Sequence, residues 1–233
     1  MRSCGPVLLA TGLVALALSA CGGSSSASST PTTSAAASSS TTTATSASPT
    51  STTPASSQAQ ISYEGIPIES GPEIAPASTT QTGTVDGIRC GATEQLAYHV
   101  HAHLAVFVNG RIYSLPAGIG IPGSTAQQTS QGPVAAGGQC IYWLHTHTSD
   151  GIIHIESPTQ RIYTLGNFFD EWHQRLTAKQ VGTVHGTITA YLDGHLWKKN
   201  LRDIPLLPHA LIQLNIGEPA APQLTVNWSQ TGL

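Results

Sequence analysis

The chain has 233 residues, with 9 basic and 12 acidic side chains, a formal net charge of −3 and only 9% charged residues. Lys occurs only at Lys179, Lys198 and Lys199, so no basic face is available and nucleic acid is not expected as a partner. The unusual component is histidine: ten residues, all between His99 and His209.

The N-terminus has the pattern of a processing signal. Arg2 supplies the leading charge, and Val7 to Ala17 is an apolar run too short to remain as a membrane-spanning helix. It runs into Leu18-Ser19-Ala20-Cys21, which resembles the lipobox of bacterial lipoproteins, where small residues precede a cysteine that becomes the lipidated N-terminus. That resemblance implies a signal peptide over 1–20 and a lipid on Cys21. It also implies a protein on the extracytoplasmic side of the cell membrane, held there by its N-terminal lipid. Gly22 to about Gln60 is nearly all Ser, Thr, Ala and Pro, and no charged residue occurs between Arg2 and Glu64. With no large apolar side chains to bury, such a stretch cannot offset its chain entropy and is expected to be a disordered tether. Residues 61–233 remain, enough for one globular domain with its own core.

Of four cysteines, Cys4 leaves with the signal and Cys21 carries lipid. Cys90 and Cys140 are left, and in an oxidising compartment a disulfide is the default. Thiolate metal ligation is disfavoured because neither has a CxxC partner. The bridge would close a loop of about 50 residues and contribute about 4 kcal/mol by restricting the unfolded chain.

Within the domain, 61–89 is Pro/Gly-rich and is expected to lie extended across the fold. Tyr98 to Tyr113 follows as a hairpin with Asn109-Gly110 at a type I′ turn. Its alternation puts Val100, Leu104, Val106 and Val108 on a core face, and His99, His101, His103 and Phe107 on the other. Residues 115–123 form a Gly/Pro loop, and Gln127 to Gly138 a polar loop. A second hairpin, Trp143 to Glu156, is expected to turn at Asp150-Gly151, pairing His147 with His154 and His145 with Glu156. A short strand is expected at Arg161 to Leu165. Leu165, Phe168, Phe169, Trp172 and Leu176 then form one apolar stripe, predicting a helix over 165–176 with Thr164 as N-cap. Aromatic residues at that spacing are read as core, and His173 as a surface residue. Thr183 to Trp197 predicts a third hairpin, turning at Asp193-Gly194, and Leu211 to Ile216 a late strand. A tail follows from 218, with Leu224 to Trp228 as a potential edge strand. The sum is an α+β fold, mostly antiparallel β hairpins with one packed amphipathic helix.

The second hairpin carries the chemistry. Opposed residues and i,i+2 neighbours share a face, so His145, His147, His154 and Glu156 are expected on one side of it. Three imidazoles and a carboxylate are a set that Zn²⁺, Cu²⁺, Mn²⁺ or Fe²⁺ accepts, with copper or zinc favoured outside the cytoplasm. His99 and His103 lie about 13 Å apart along a strand, too far to share one ion with the hairpin. His101 with one neighbour is therefore expected to join, and the remainder to orient ligands. The competing interpretation is a polar network of hydrogen-bonded histidines. His185, His195 and His209 have no spacing partner, and His209 is the best outsider because it precedes a strand.

Several runs together resemble a family of secreted or membrane-anchored prokaryotic proteins. They are His101-Ala102-His103-Leu104, Leu115 to Gly120, Leu144-His145-Thr146-His147 with Gly151 to Pro158, Thr164 to Phe169, and Arg202 to Leu206. The resemblance implies a shared domain and lends no activity. Cupins also use three His and a Glu, but their Glu follows the HxH pair closely, whereas Glu156 lies nine residues past His147. Three functions follow as expectations: a surface-anchored metal-binding protein for capture, delivery or sensing, working with a metal-donor or acceptor protein; a mononuclear metalloenzyme; or a non-catalytic β domain for protein or glycan contacts. No nucleophile elbow, Gly-rich phosphate loop or HExxH occurs.

Overall fold

Residues 59–77 and 80–233 are described by the computed structural model. The expected signal peptide, Cys21 and almost all of the expected tether lie outside the described residues. No described helix is long and apolar enough to cross a membrane.

One long strand, β1 (Tyr98–Val108), organises the main sheet. The others are β2 (Arg111–Tyr113), β3 (Leu144–His145), β4 (Ile152–Ser157), β5 (Ile188–Leu192), β6 (His195–Trp197) and β7 (Leu211–Ile216). The strand order is β6-β5-β7-β1-β4-β3, with β2 paired to the C-terminal part of β1. All pairs are antiparallel except β7 with β1, which is parallel. A parallel pair requires a long crossover, and the hundred-odd residues between these strands supply it. Among the described residues the fold is thus mostly antiparallel β with a single α-helix, as expected.

The alternation along β1 divides the sheet into two chemically different faces. Ala102, Leu104 and Val106 pack with Leu144, Ile153, Ile155, Ile212 and Leu214 on the core side, under helix α1 (Leu165–Glu171). Leu165, Phe168, Phe169 and Trp172 supply the helix's buried stripe. On the other side lie the histidines of β1, with His154 and Glu156 of β4 and Gln213 and Asn215 of β7. Apart from exposed His99, that polar face is nonetheless largely buried, because two segments cover it. The lead-in contributes Ser62, Glu64, Ile66 and Glu69. The tail bonds to β7, with the Leu224 amide donating to Gln213 Oε1 at 2.8 Å. The tail carries a short 3₁₀ turn, Trp228–Gln230, and does not form the edge strand expected at Leu224 to Trp228.

The Asn109-Gly110 and Asp193-Gly194 turns form as read. Both residues of each pair have positive φ, and Val108 faces Arg111 as Leu192 faces His195. The Asp150-Gly151 hairpin does not close in that way. Pairing starts at His145 with His154, so a six-residue connection separates the strands. Thr146 has left the ladder: its amide donates to Ile119 O, and its carbonyl accepts from Gly118. Asp150 instead makes a local turn, with Oδ1 accepting from the Ile152 amide at 3.1 Å. The third hairpin is confined to Ile188–Trp197, because Val184–His185 pairs with Gln180–Val181 instead. The polar loop after Gln127 contains its own small hairpin, Gln127–Thr129 with Gly132–Val134. The short strand after Arg161 is Tyr163–Thr164, paired with Pro205–Leu206.

The helix starts as predicted, with Thr164 capping Asn167 and Asn167 returning the bond. It ends sooner. Trp172 is its C-cap and His173 takes φ 58, so Leu176 reaches the core from a strand and not from a last helical turn. At the helix's end Glu171 is fully buried. Its Oε2 accepts from the Leu144 amide at 3.2 Å, and its Oε1 has no hydrogen-bond partner among the described residues. Burial pushes this carboxyl well above the ordinary range, only partly opposed by the Leu144 amide. A carboxyl raised in the folded state holds a proton that the unfolded chain has released. Its stabilising contribution is therefore full below the ordinary Glu range, about 4.3, and is lost as pH rises through the folded value. Glu171→Gln keeps an acceptor for Leu144 and removes the ionisation. Urea unfolding at pH 5 and pH 8 should show a smaller loss of stability with rising pH in the variant; an unchanged pH slope would contradict this.

Candidate metal site

The site is assembled from one row across three strands. His145 on β3 faces His154 on β4, which faces His101 on β1. One step along, Glu156 faces His99. His147 comes from the connection after β3, held by its own carbonyl, which accepts from the Ala135 amide at 2.8 Å. The structure brings together two overlapping groups: His145, His147, His154 and Glu156, all buried, and His99, His101 and His154, of which His99 is exposed. Within each group the potential ligand atoms lie within 4.8 Å of one another, so each could hold a metal ion.

The tautomers of two rings follow from their neighbours. His145 Nδ1 lies 2.9 Å from the Tyr142 carbonyl, and His147 Nδ1 lies 2.7 Å from the Ala135 carbonyl. A carbonyl oxygen can only accept, so both Nδ1 atoms carry the proton. In neutral rings both Nε2 atoms then present lone pairs, and these two atoms are 3.2 Å apart. Burial holds His145 well below the ordinary histidine range, with the neighbouring histidines adding to the effect. Nitrogens bound to one tetrahedral zinc at 2.0–2.1 Å are about 3.3 Å apart. Backbone carbonyls that fix the outer ring nitrogen are also the usual companions of ligating histidines.

The carboxylates complete the picture. Glu156 Oε1 lies 3.1 Å from His99 Nε2, 3.3 Å from His154 Nδ1 and 3.8 Å from His145 Nε2. Its Oε2 is buried without a hydrogen-bond partner among the described residues. His154 Nε2 lies 3.0 Å from Glu64 Oε1. Burial would lower His154, but its bonds to Glu156 and Glu64 outweigh that and raise it to about 9. His101 is lowered to about 3, chiefly by burial and then by the facing histidines. Glu94 reaches His147 Nε2 at 3.3 Å. A cleft of about 580 Å³ opens onto the site, lined by Tyr63, Glu94, His99, His147, His154 and Glu156 among others.

His103 lies outside both groups. Its Nε2 is 3.0 Å from the Asp150 carbonyl and 4.0 Å from Glu69, and burial lowers it to about 4. His209 reaches the row through its backbone, donating to the His101 carbonyl at 2.7 Å, while its ring stacks on Trp228. Sequence reasoning missed Glu64 and Glu94. The one signal for Glu64 is that it is the first charged residue after Arg2.

No protein-family model, curated protein or solved structure matches the chain.

Proposed function

We propose that this is a membrane-anchored lipoprotein whose β domain binds a transition metal, copper or zinc, through His145, His147, His154 and Glu156. One observation carries the reading: two buried imidazoles whose Nδ1 protons are committed to carbonyls aim their Nε2 lone pairs at each other across 3.2 Å. Between two neutral rings that contact is repulsive; with a metal cation between them it is a ligand pair. Imidazole and a single carboxylate suit zinc and copper better than calcium or magnesium, which take oxygen-rich shells. The anchor rests on Leu18 to Cys21 and the uncharged tract behind it. A tethered domain of this kind captures metal outside the cell and passes it to, or receives it from, a second protein.

The test is metal analysis of the full chain after chelation and dialysis against Zn²⁺ or Cu²⁺. Stoichiometric metal is expected, and it should be lost in His147→Ala and His154→Ala. A wild-type protein that binds nothing, or metal unaffected by both changes, would refute the assignment. A second reading, a metalloenzyme, is favoured by the cleft that reaches His147, His154 and Glu156. In that case the metal would activate water or dioxygen at an open position. An ion whose bound water exchanges with added azide or cyanide, seen spectroscopically in the Cu²⁺ form, would support it; a closed shell would not.

A further inference from the structure

The histidines fall into two like pairs with His154 between them. His145 and His147 have Nε2 atoms 3.2 Å apart, and His99 and His101 have Nε2 atoms 3.0 Å apart. The two pairs stand around the His154 ring in matching ways. His145 and His99 lie face to face with it, at interplanar angles of 10° and 27°. His147 and His101 meet it edge-on, at 77° and 87°, with centroids 4.7 and 4.6 Å away. A single ion with ligands at 2.0–2.1 Å keeps every ligand atom within about 4.2 Å of every other. Here the ligand atoms form two separate groups that share only His154.

Glu156 sits between the pairs. Its Oε1 is 3.1 Å from His99 Nε2 and 3.8 Å from His145 Nε2. Its Oε2, also buried, has no hydrogen-bond partner among the described residues. One oxygen of this carboxylate therefore lies within reach of a cation held by either pair, and its second oxygen is left unpaired beside them.

We infer that the site holds two transition-metal ions. One ion is bound by the buried pair His145 and His147, and a second by His99 and His101; His147 of the first pair and His99 of the second both line the cleft. Glu156 and His154 lie between them. This rests on the metal-binding reading above and adds a second position to it. The second pair includes the one exposed histidine of the set, so that position meets solvent.

The experiment is a Cu²⁺ titration of the metal-free full chain, followed by elemental analysis and electron paramagnetic resonance. Wild type should bind two equivalents, and at two equivalents its spectrum should show the broadening and half-field signal of two coupled Cu²⁺ ions. His99→Ala/His101→Ala should bind one equivalent with the spectrum of an isolated ion. His145→Gln/His147→Gln should also bind one, with different parameters. A circular dichroism spectrum matching wild type establishes that each variant is folded. Because wild type carries both the stoichiometry and the coupling signal, a variant that failed to fold would leave the test intact. One equivalent and an uncoupled spectrum in wild type would overturn the second position and leave the first standing. No copper bound at all would overturn both.

Discussion

Changing Cys90 and Cys140 together to Ser is expected to lower the unfolding free energy by about 4 kcal/mol. The bridge spans a sequence separation of 50 residues. The two cysteines open segments that are also tied by backbone: Gly91 and Ile141 exchange hydrogen bonds at 2.9 and 2.8 Å. Without the disulfide, those two bonds must hold the junction alone. The consequence should extend to the site, because the Tyr142 carbonyl that orients His145 lies two residues from Cys140. The urea midpoint should therefore fall steeply, and metal affinity should fall with it at a denaturant concentration where the domain is still folded. A loss below about 1 kcal/mol, or a stability loss with unchanged metal affinity, would show that the junction does not support His145.

The polar face of the main sheet was legible because strand periodicity is robust. The expected register paired His147 with His154, and the observed one pairs His145 with His154. That is a shift of two residues, and a shift of two leaves every side chain on its own face, whereas a shift of one would have buried the histidines in the aliphatic core. Hence His145, His154 and Glu156 still share a surface although their partners changed. What misled the register was Asp150-Gly151, a strong turn signal whose aspartate is instead consumed by a local bond to Ile152. The helix shows the same limit. Leu176 fits the apolar stripe but reaches the core from a strand, since left-handed His173 intervenes. Glu64 and Glu94 come from segments with no periodic pattern, and only the tertiary path of the chain places them beside His154 and His147. The groups that fix the tautomers were beyond any sequence reading. They are the main-chain carbonyls of Tyr142 and Ala135, and every residue has one.

Gly120→Ala tests how tightly the backbone behind the site is held. Gly120 has φ +70, a conformation that costs an L-residue about 1 kcal/mol or more. A Cβ there would stand 2.2 Å from the Leu144 carbonyl oxygen and 3.0 Å from His145 Cβ. The carbonyl is main chain and cannot rotate away, so either β3 or the loop at 118–121 must shift. Overpacking of this sort costs a further 1–3 kcal/mol, which together predicts a loss of about 3 kcal/mol. The loop is not free to give way. The Tyr142 amide donates to the Gly120 carbonyl at 2.8 Å, and the Ile119 carbonyl accepts from Thr146 at 3.1 Å. Those bonds tie the loop to the segment that carries His145, so the two shift together, and disturbing the support of a metal ligand commonly costs about 10–100-fold in affinity. Thermal unfolding and a metal titration on Gly120→Ala should show both losses together. A variant that is destabilised but binds metal like wild type would mean that β3 stays in place and the loop yields.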